Sequence, residues 1–220
     1  MKTLITILIA AMLLVVASPV IAENKVGISY TDSYNWYGFK KVFGDEYVHT
    51  GASTTVQGFD ISATTHVRDL DDIEFWDAAV AYKLPLELPV NLTAGYGYME
   101  FPGMKAQEFS MTAQLPGTIA PRYTLAHIEP DGGQFHVLGL DVALGEPESI
   151  SAMLSADITY NDGVFEIRDW THVTAGIVLD VPLGPVSLQP GIWYQYAFEP
   201  EALQCDESEF WYGIGVFAKF

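Results

Sequence analysis

The chain has 220 residues, with 28 acidic against 10 basic side chains and a formal charge of −18, yet half of its residues are hydrophobic and mean hydropathy is +0.19. Acidic disordered tails lack such apolar and aromatic content, so that class is excluded. A pI near 4.3 leaves no basic face for phosphates, which argues against a nucleic-acid partner.

Met1 and Lys2 precede an apolar run from Leu4 to Ala17, broken only by Thr6, and then Ser18, Pro19, Val20, Ile21 and Ala22. This pattern predicts a signal peptide over residues 1–22, cleaved after Ala22, and one domain over 23–220. The run is shorter than the roughly 20 residues that a membrane helix needs. Removal takes one lysine and no acid, leaving 9 basic and 28 acidic side chains and a charge of −19. Cys205 is the only cysteine, so no intramolecular disulfide can form. Its acidic neighbourhood points to no reactive role.

Beyond Ala22 the dominant signal is alternation with a period of two, interrupted by short turn-forming clusters. Leu88, Val90, Leu92, Ala94, Tyr96 and Tyr98 share one face, while Asn91, Thr93, Gly95 and Gly97 share the other. The pattern recurs at Ile150 to Tyr160 and at Val186 to Phe198. Strands of soluble sandwiches average about five or six residues. These run to about 11 and end in aromatics, the length and finish of strands that cross a bilayer at a tilt.

Twelve strands are predicted, over residues 24–39, 46–56, 58–68, 74–84, 88–101, 106–115, 119–129, 133–144, 149–160, 170–181, 185–198 and 209–220. The expected fold is all-β, a transmembrane antiparallel up-and-down barrel, with a soluble sandwich or lipocalin-like barrel as the alternative. Its even-numbered links are short and rich in Pro and Gly. The odd-numbered links, residues 40–46, 69–74, 102–105, 130–133, 161–169 and 199–209, hold 15 of the 28 acids and only 4 bases. They are expected at the external mouth.

The last strand places Phe210, Tyr212, Ile214, Val216, Ala218 and Phe220 on one lipid-facing stripe that ends in the terminal aromatic. This stripe resembles the signal by which barrel-assembly machinery recognises outer-membrane proteins.

Three segments carry a family resemblance. They are Ser33-Tyr34-Asn35-Trp36-Tyr37-Gly38-Phe39, Phe75-Trp76-Asp77-Ala78-Ala79-Val80-Ala81-Tyr82, and Ala94-Gly95-Tyr96-Gly97-Tyr98-Met99-Glu100-Phe101-Pro102-Gly103 followed by Gln107-Glu108-Phe109. Over about residues 25–145 the chain resembles the TorF-type porin family of Gram-negative bacteria. Tyr37 stands where that family often has Arg, so no role of that Arg is carried over. The resemblance implies an outer-membrane barrel with a pore function.

Projected inward, the alternation gives Asp60, His66, Arg68, Asp77, Lys83, Glu108, Arg122, Asp141, Asp157, His172, Asp180 and Lys219. Of these, Asp77, Glu108, Arg122, Asp141, Asp157, His172 and Lys219 are the candidate pore-lining residues, with Glu108, Arg122 and Asp141 expected to form one ionic cluster. Trp193, Trp211, Phe217 and Phe135 are expected to narrow the lumen. The acid excess points to a cation-preferring channel for small solutes or ions. A closed structural or surface-interaction barrel is the first alternative and a barrel-type lipid hydrolase the second. His172-Val173-Thr174 has Thr where a nucleophilic Ser would stand, and no Gly-x-Ser-x-Gly occurs. Neither Asp69-Leu70-Asp71-Asp72 nor Asp206-Glu207-Ser208-Glu209 matches a calcium loop, and His49, His66, His127, His136 and His172 lack zinc-site spacing, so no metal, cofactor or catalytic residue is predicted. The expected partners are membrane lipid, the assembly machinery, and small solutes or cations.

Overall fold

The computed structural model describes residues 23–33, 35–37, 45–68, 72–101, 104–146, 149–203 and 205–220. The expected signal peptide, Tyr34, Gly38, Phe39, residues 40–44 and 69–71, Pro102 and Gly103 lie outside the described residues.

Twelve strands follow in order: β1 (Glu23–Ser33), β2 (Asp45–Val56), β3 (Phe59–Arg68), β4 (Asp72–Lys83), β5 (Asn91–Phe101), β6 (Met104–Gln114), β7 (Ile119–Glu129), β8 (Gly133–Leu144), β9 (Ser151–Asp162), β10 (Arg168–Leu183), β11 (Val186–Ala197) and β12 (Ser208–Lys219). Each pairs antiparallel with its sequence neighbours, and β1 pairs with β12 to close the barrel. At this seam Gly27 faces Phe217, the Asn24 amide donates to the Phe220 carbonyl (3.2 Å) and the Phe220 amide donates to the Asn24 carbonyl (3.1 Å). Closure leaves no unpaired sheet edge, which a bilayer requires because lipid cannot hydrogen-bond the backbone.

Period-two alternation decides what faces lipid. On β12, Phe210, Tyr212, Ile214 and Val216 are exposed while Glu209, Trp211, Gly213 and Gly215 are buried. Phe220 is exposed beyond the strand end. Outward aromatics such as Tyr98, Tyr160, Trp170 and Tyr194 gather toward the end that carries the longer links, called here the loop end. The stacked Phe59–Tyr82 pair (4.3 Å) lies at the turn end, where β1 begins and β12 ends. Two aromatic levels bounding an aliphatic band are the signature of a membrane-spanning barrel.

Most strand boundaries shift by one or two residues from the sequence reading, and three strands depart from it for a local physical reason. β1 ends at Ser33 rather than at residue 39, because Asn35, Trp36 and Tyr37 leave the wall and turn into the barrel. β5 begins at Asn91, since Pro89 has no amide to give to a ladder and residues 88–90 form a bend. β10 is longer than expected, and its register shifts between Trp170 and His172, leaving both Thr171 and His172 buried.

Candidate functional site

The loop end of the barrel is filled by apolar side chains. Tyr47, Phe75, Phe101, Ile128 and Phe135 project inward from the strand ends, and Val164, Leu203 and Cys205 fold in from the links. Trp36 sits among them at 6% exposure. Its ring meets Tyr37, Phe135 and Phe165 edge-on at 5.7, 6.0 and 6.4 Å. Tyr37 stacks on Phe135 at 4.3 Å and its hydroxyl donates to Glu108. The Asn35 amide donates to Gln195 Oε1 at 2.6 Å. Three consecutive residues after β1 are thus tied to β6, β8 and β11 across the barrel.

Toward the turn end charged and polar side chains join the lining, and among the described residues the interior holds cavities of about 500, 430 and 340 Å³. Asn35 and Tyr37 border both the first and second, and His49 borders both the first and third. The segment after β1 and the imidazole on β2 therefore partition the lumen.

An ionic cluster lines the first cavity. Arg122 Nε donates to Asp141 Oδ2 at 3.0 Å, and its Nη2 donates to both carboxylate oxygens of Asp157 at 2.6 and 2.8 Å. Gln114 Nε2 also donates to Asp141, at 2.9 Å. Gly139 pairs with both Arg122 and Asp157, and it lets the guanidinium cross the wall: a Cβ there would stand 2.8 Å from Arg122 Cζ. Gly139→Val is expected to displace Arg122 and cost about 1–3 kcal/mol, read as a lower urea midpoint of the refolded barrel.

Glu108 does not join this cluster, contrary to the sequence reading. On β6 Gln114 is the partner of Arg122, whereas Glu108 opposes Ile128, six residues and about 20 Å along the strand. Alternation fixes the face of a residue but not its height, and Glu108 lines the second cavity with Asp77.

Sequence spacing also missed a chain of side chains across four strands. Thr31 Oγ1 lies 2.7 Å from His49 Nε2, His49 Nδ1 lies 2.6 Å from His66 Nδ1, and His66 Nε2 lies 2.5 Å from Asp77 Oδ2. One proton per contact gives a consistent order running from the threonine hydroxyl to the Asp77 carboxylate. The signal was present as inward residues on β1 to β4, but only the register brings them level.

The remaining candidates are dispersed. His172 borders the first cavity beside Thr171 Oγ1 (3.0 Å). Lys219 is near the turn end, 3.7 Å from Glu23. Glu209, expected in a solvated link, instead points inward at 8% exposure, with Oε1 accepting the Asp206 amide at 2.9 Å. Trp193, Trp211, Phe217 and Phe135 all face the interior.

No protein-family model and no curated protein matches the chain. Among solved structures it is similar to a KdgM porin (8% identity, TM-score 0.61, covering 89% of this chain and 99% of that one). It is also similar to a KdgM porin in complex with disordered oligogalacturonate (11%, 0.57, 90% and 99%) and to a NanC porin (14%, 0.60, 90% and 100%). At these identities the likeness is one of fold, and it places the chain's architecture with the small barrels of outer-membrane porins.

Proposed function

We propose that this chain is a narrow outer-membrane channel for small solutes that prefers cations. The loop end faces outward, and Asn35, Trp36 and Tyr37 constrict it. The observation that carries the reading is a set of cavities lined in part by charged side chains inside a closed, lipid-faced barrel. Asp77, Glu108 and Asp157 border these cavities and Asp141 adjoins them, against Arg122 and Lys25 as the bases. Such an excess concentrates cations and repels anions. An acidic oligosaccharide like that in the second solved structure is therefore not carried over to this chain.

The test is planar-bilayer recording in a KCl gradient, where a reversal potential on the potassium side is expected. Chloride preference would overturn the charge argument. A closed structural barrel is the second reading, favoured by the apolar cluster at the loop end. It predicts a wild-type protein that is electrically silent. Catalysis is not part of the proposal, since His172 pairs with its own neighbour Thr171 inside the barrel rather than with a lipid-facing nucleophile.

Kinship with the TorF-type family is supported by the motifs around Phe75 to Tyr82 and Ala94 to Phe101. Recognition by the assembly machinery is supported by the exposed stripe of β12. Deleting Phe220 is expected to lower the amount of folded barrel in outer-membrane fractions while leaving refolding in detergent intact.

A further inference from the structure

The ionic cluster shares the first cavity with an aromatic wall. Trp193 lies flat on the barrel: a Cβ on Gly176 or Gly191 would collide with its indole, and one on Gly213 would meet its rim at 3.5 Å. Glycines on β10, β11 and β12 thus form a floor beneath one ring. Trp211 runs parallel to it within 10°, at 6.2 Å between centroids. Nearer the turn end Phe217 rests in the same way on Gly27 and Gly215. A ring laid along the wall, as Trp193 and Phe217 are, turns a face, not an edge, toward the space it borders.

We propose that the first cavity binds a neutral saccharide, with the C–H face of a pyranose ring against Trp193 and Trp211 and its hydroxyl edge toward Arg122 and Asp157. The indole face is the negative side of the ring quadrupole and matches the weakly positive axial C–H groups of a sugar. Arg122 and Asp157 supply planar donors and acceptors in fixed orientation, with Thr124, Thr159 and Asn35 bordering the same space. A volume of about 500 Å³ lies in the range of small-molecule sites.

Charge and ring geometry narrow the class. One guanidinium held by two carboxylates leaves the cluster with net negative charge, which disfavours uronates and other anions. An organic cation is best held by ring faces placed over it on several sides, whereas these two indoles are parallel to each other on neighbouring strands. Covering glycines with aromatics also repairs packing, but that role alone gives no affinity for a sugar. The proposal names the solute class for the channel reading above and rests on it for delivery, while binding itself can be read without conduction.

The test is saturation-transfer NMR on the full barrel refolded in a sugar-free detergent, with maltotriose, galacturonate and tetramethylammonium as separate probes. Saturation is expected to reach the ring C–H protons of maltotriose. Trp193→Ala should weaken its binding about tenfold or more, and Trp193→Phe, which keeps a flat ring on the glycine floor, should retain part of it. Heat-modifiable mobility on gels reports folding, and if Trp193→Ala does not fold, Trp193→Phe and Asp157→Asn carry the comparison, each expected to bind more weakly than wild type. No transfer to maltotriose, equal binding by the folded variants, or tighter binding of galacturonate or tetramethylammonium overturns the proposal. A barrel that conducts but binds no maltotriose removes this site and leaves the channel, whereas one that binds but never conducts does the reverse.

Discussion

Trp36→Gly is expected to raise single-channel conductance several-fold, and the double change Trp36→Gly with Tyr37→Gly to raise it further. The indole is the central filler of the loop end, with Phe101, Phe135, Phe165 and Tyr37 around it. An apolar constriction of this kind blocks ions by excluding water, so its removal acts on conduction more than a change of charge would. Losing such a buried ring costs about 3–5 kcal/mol of local packing. The wall should survive, because its twelve strand pairings do not pass through Trp36. Planar-bilayer recordings of wild type and both variants decide the matter. Unchanged conductance would remove the constriction from the account, while a silent wild type beside a conducting variant would support a barrel that is closed at rest.

Arg122→Gln should have the second largest effect, and on two readouts together. It leaves Asp141 and Asp157 on adjoining strands without the cation that each now contacts. Breaking a buried ion pair by removing one partner costs about 3–5 kcal/mol, but these side chains keep about a fifth of their surface exposed, so about 1–3 kcal/mol is expected. The urea midpoint falls and the reversal potential moves further toward potassium. Adding Asp141→Asn and Asp157→Asn should recover much of the stability and reverse the shift in selectivity. A variant that loses stability with no change in reversal potential would show that ions do not pass the cluster.

Strand number and the up-and-down barrel are legible because membrane strands are long enough for period-two alternation to outlast local noise. Arg122 and Asp141 could be placed in the lumen from this pattern alone. Height in the barrel was not legible, since register is set by pairing between strands. The pattern therefore groups Glu108 with Arg122, and it does not reveal the level chain from Thr31 to Asp77. The segment after β1 is misleading for a different reason: aromatics are what a strand end at the membrane interface looks like, and here Trp36 and Tyr37 turn inward to fill a cavity. Leu203 and Cys205 gave no sequence signal because the acids around them mark a solvated link, and only the folded link shows which of its residues turn under.

The seam between β1 and β12 orders events in time. The first strand of the barrel has its closing partner in the last, so on the outer-membrane route proposed above the chain's lipid-facing stripes cannot be covered by closure until β12 is present. During that interval the molecule is a long apolar polymer in water. Its excess of acids, which in the finished barrel gathers toward one mouth, then acts along the whole chain as mutual repulsion that slows self-association. The same carboxylates thus have two successive settings, first keeping an open chain apart from its copies and afterwards shaping the field at an entrance.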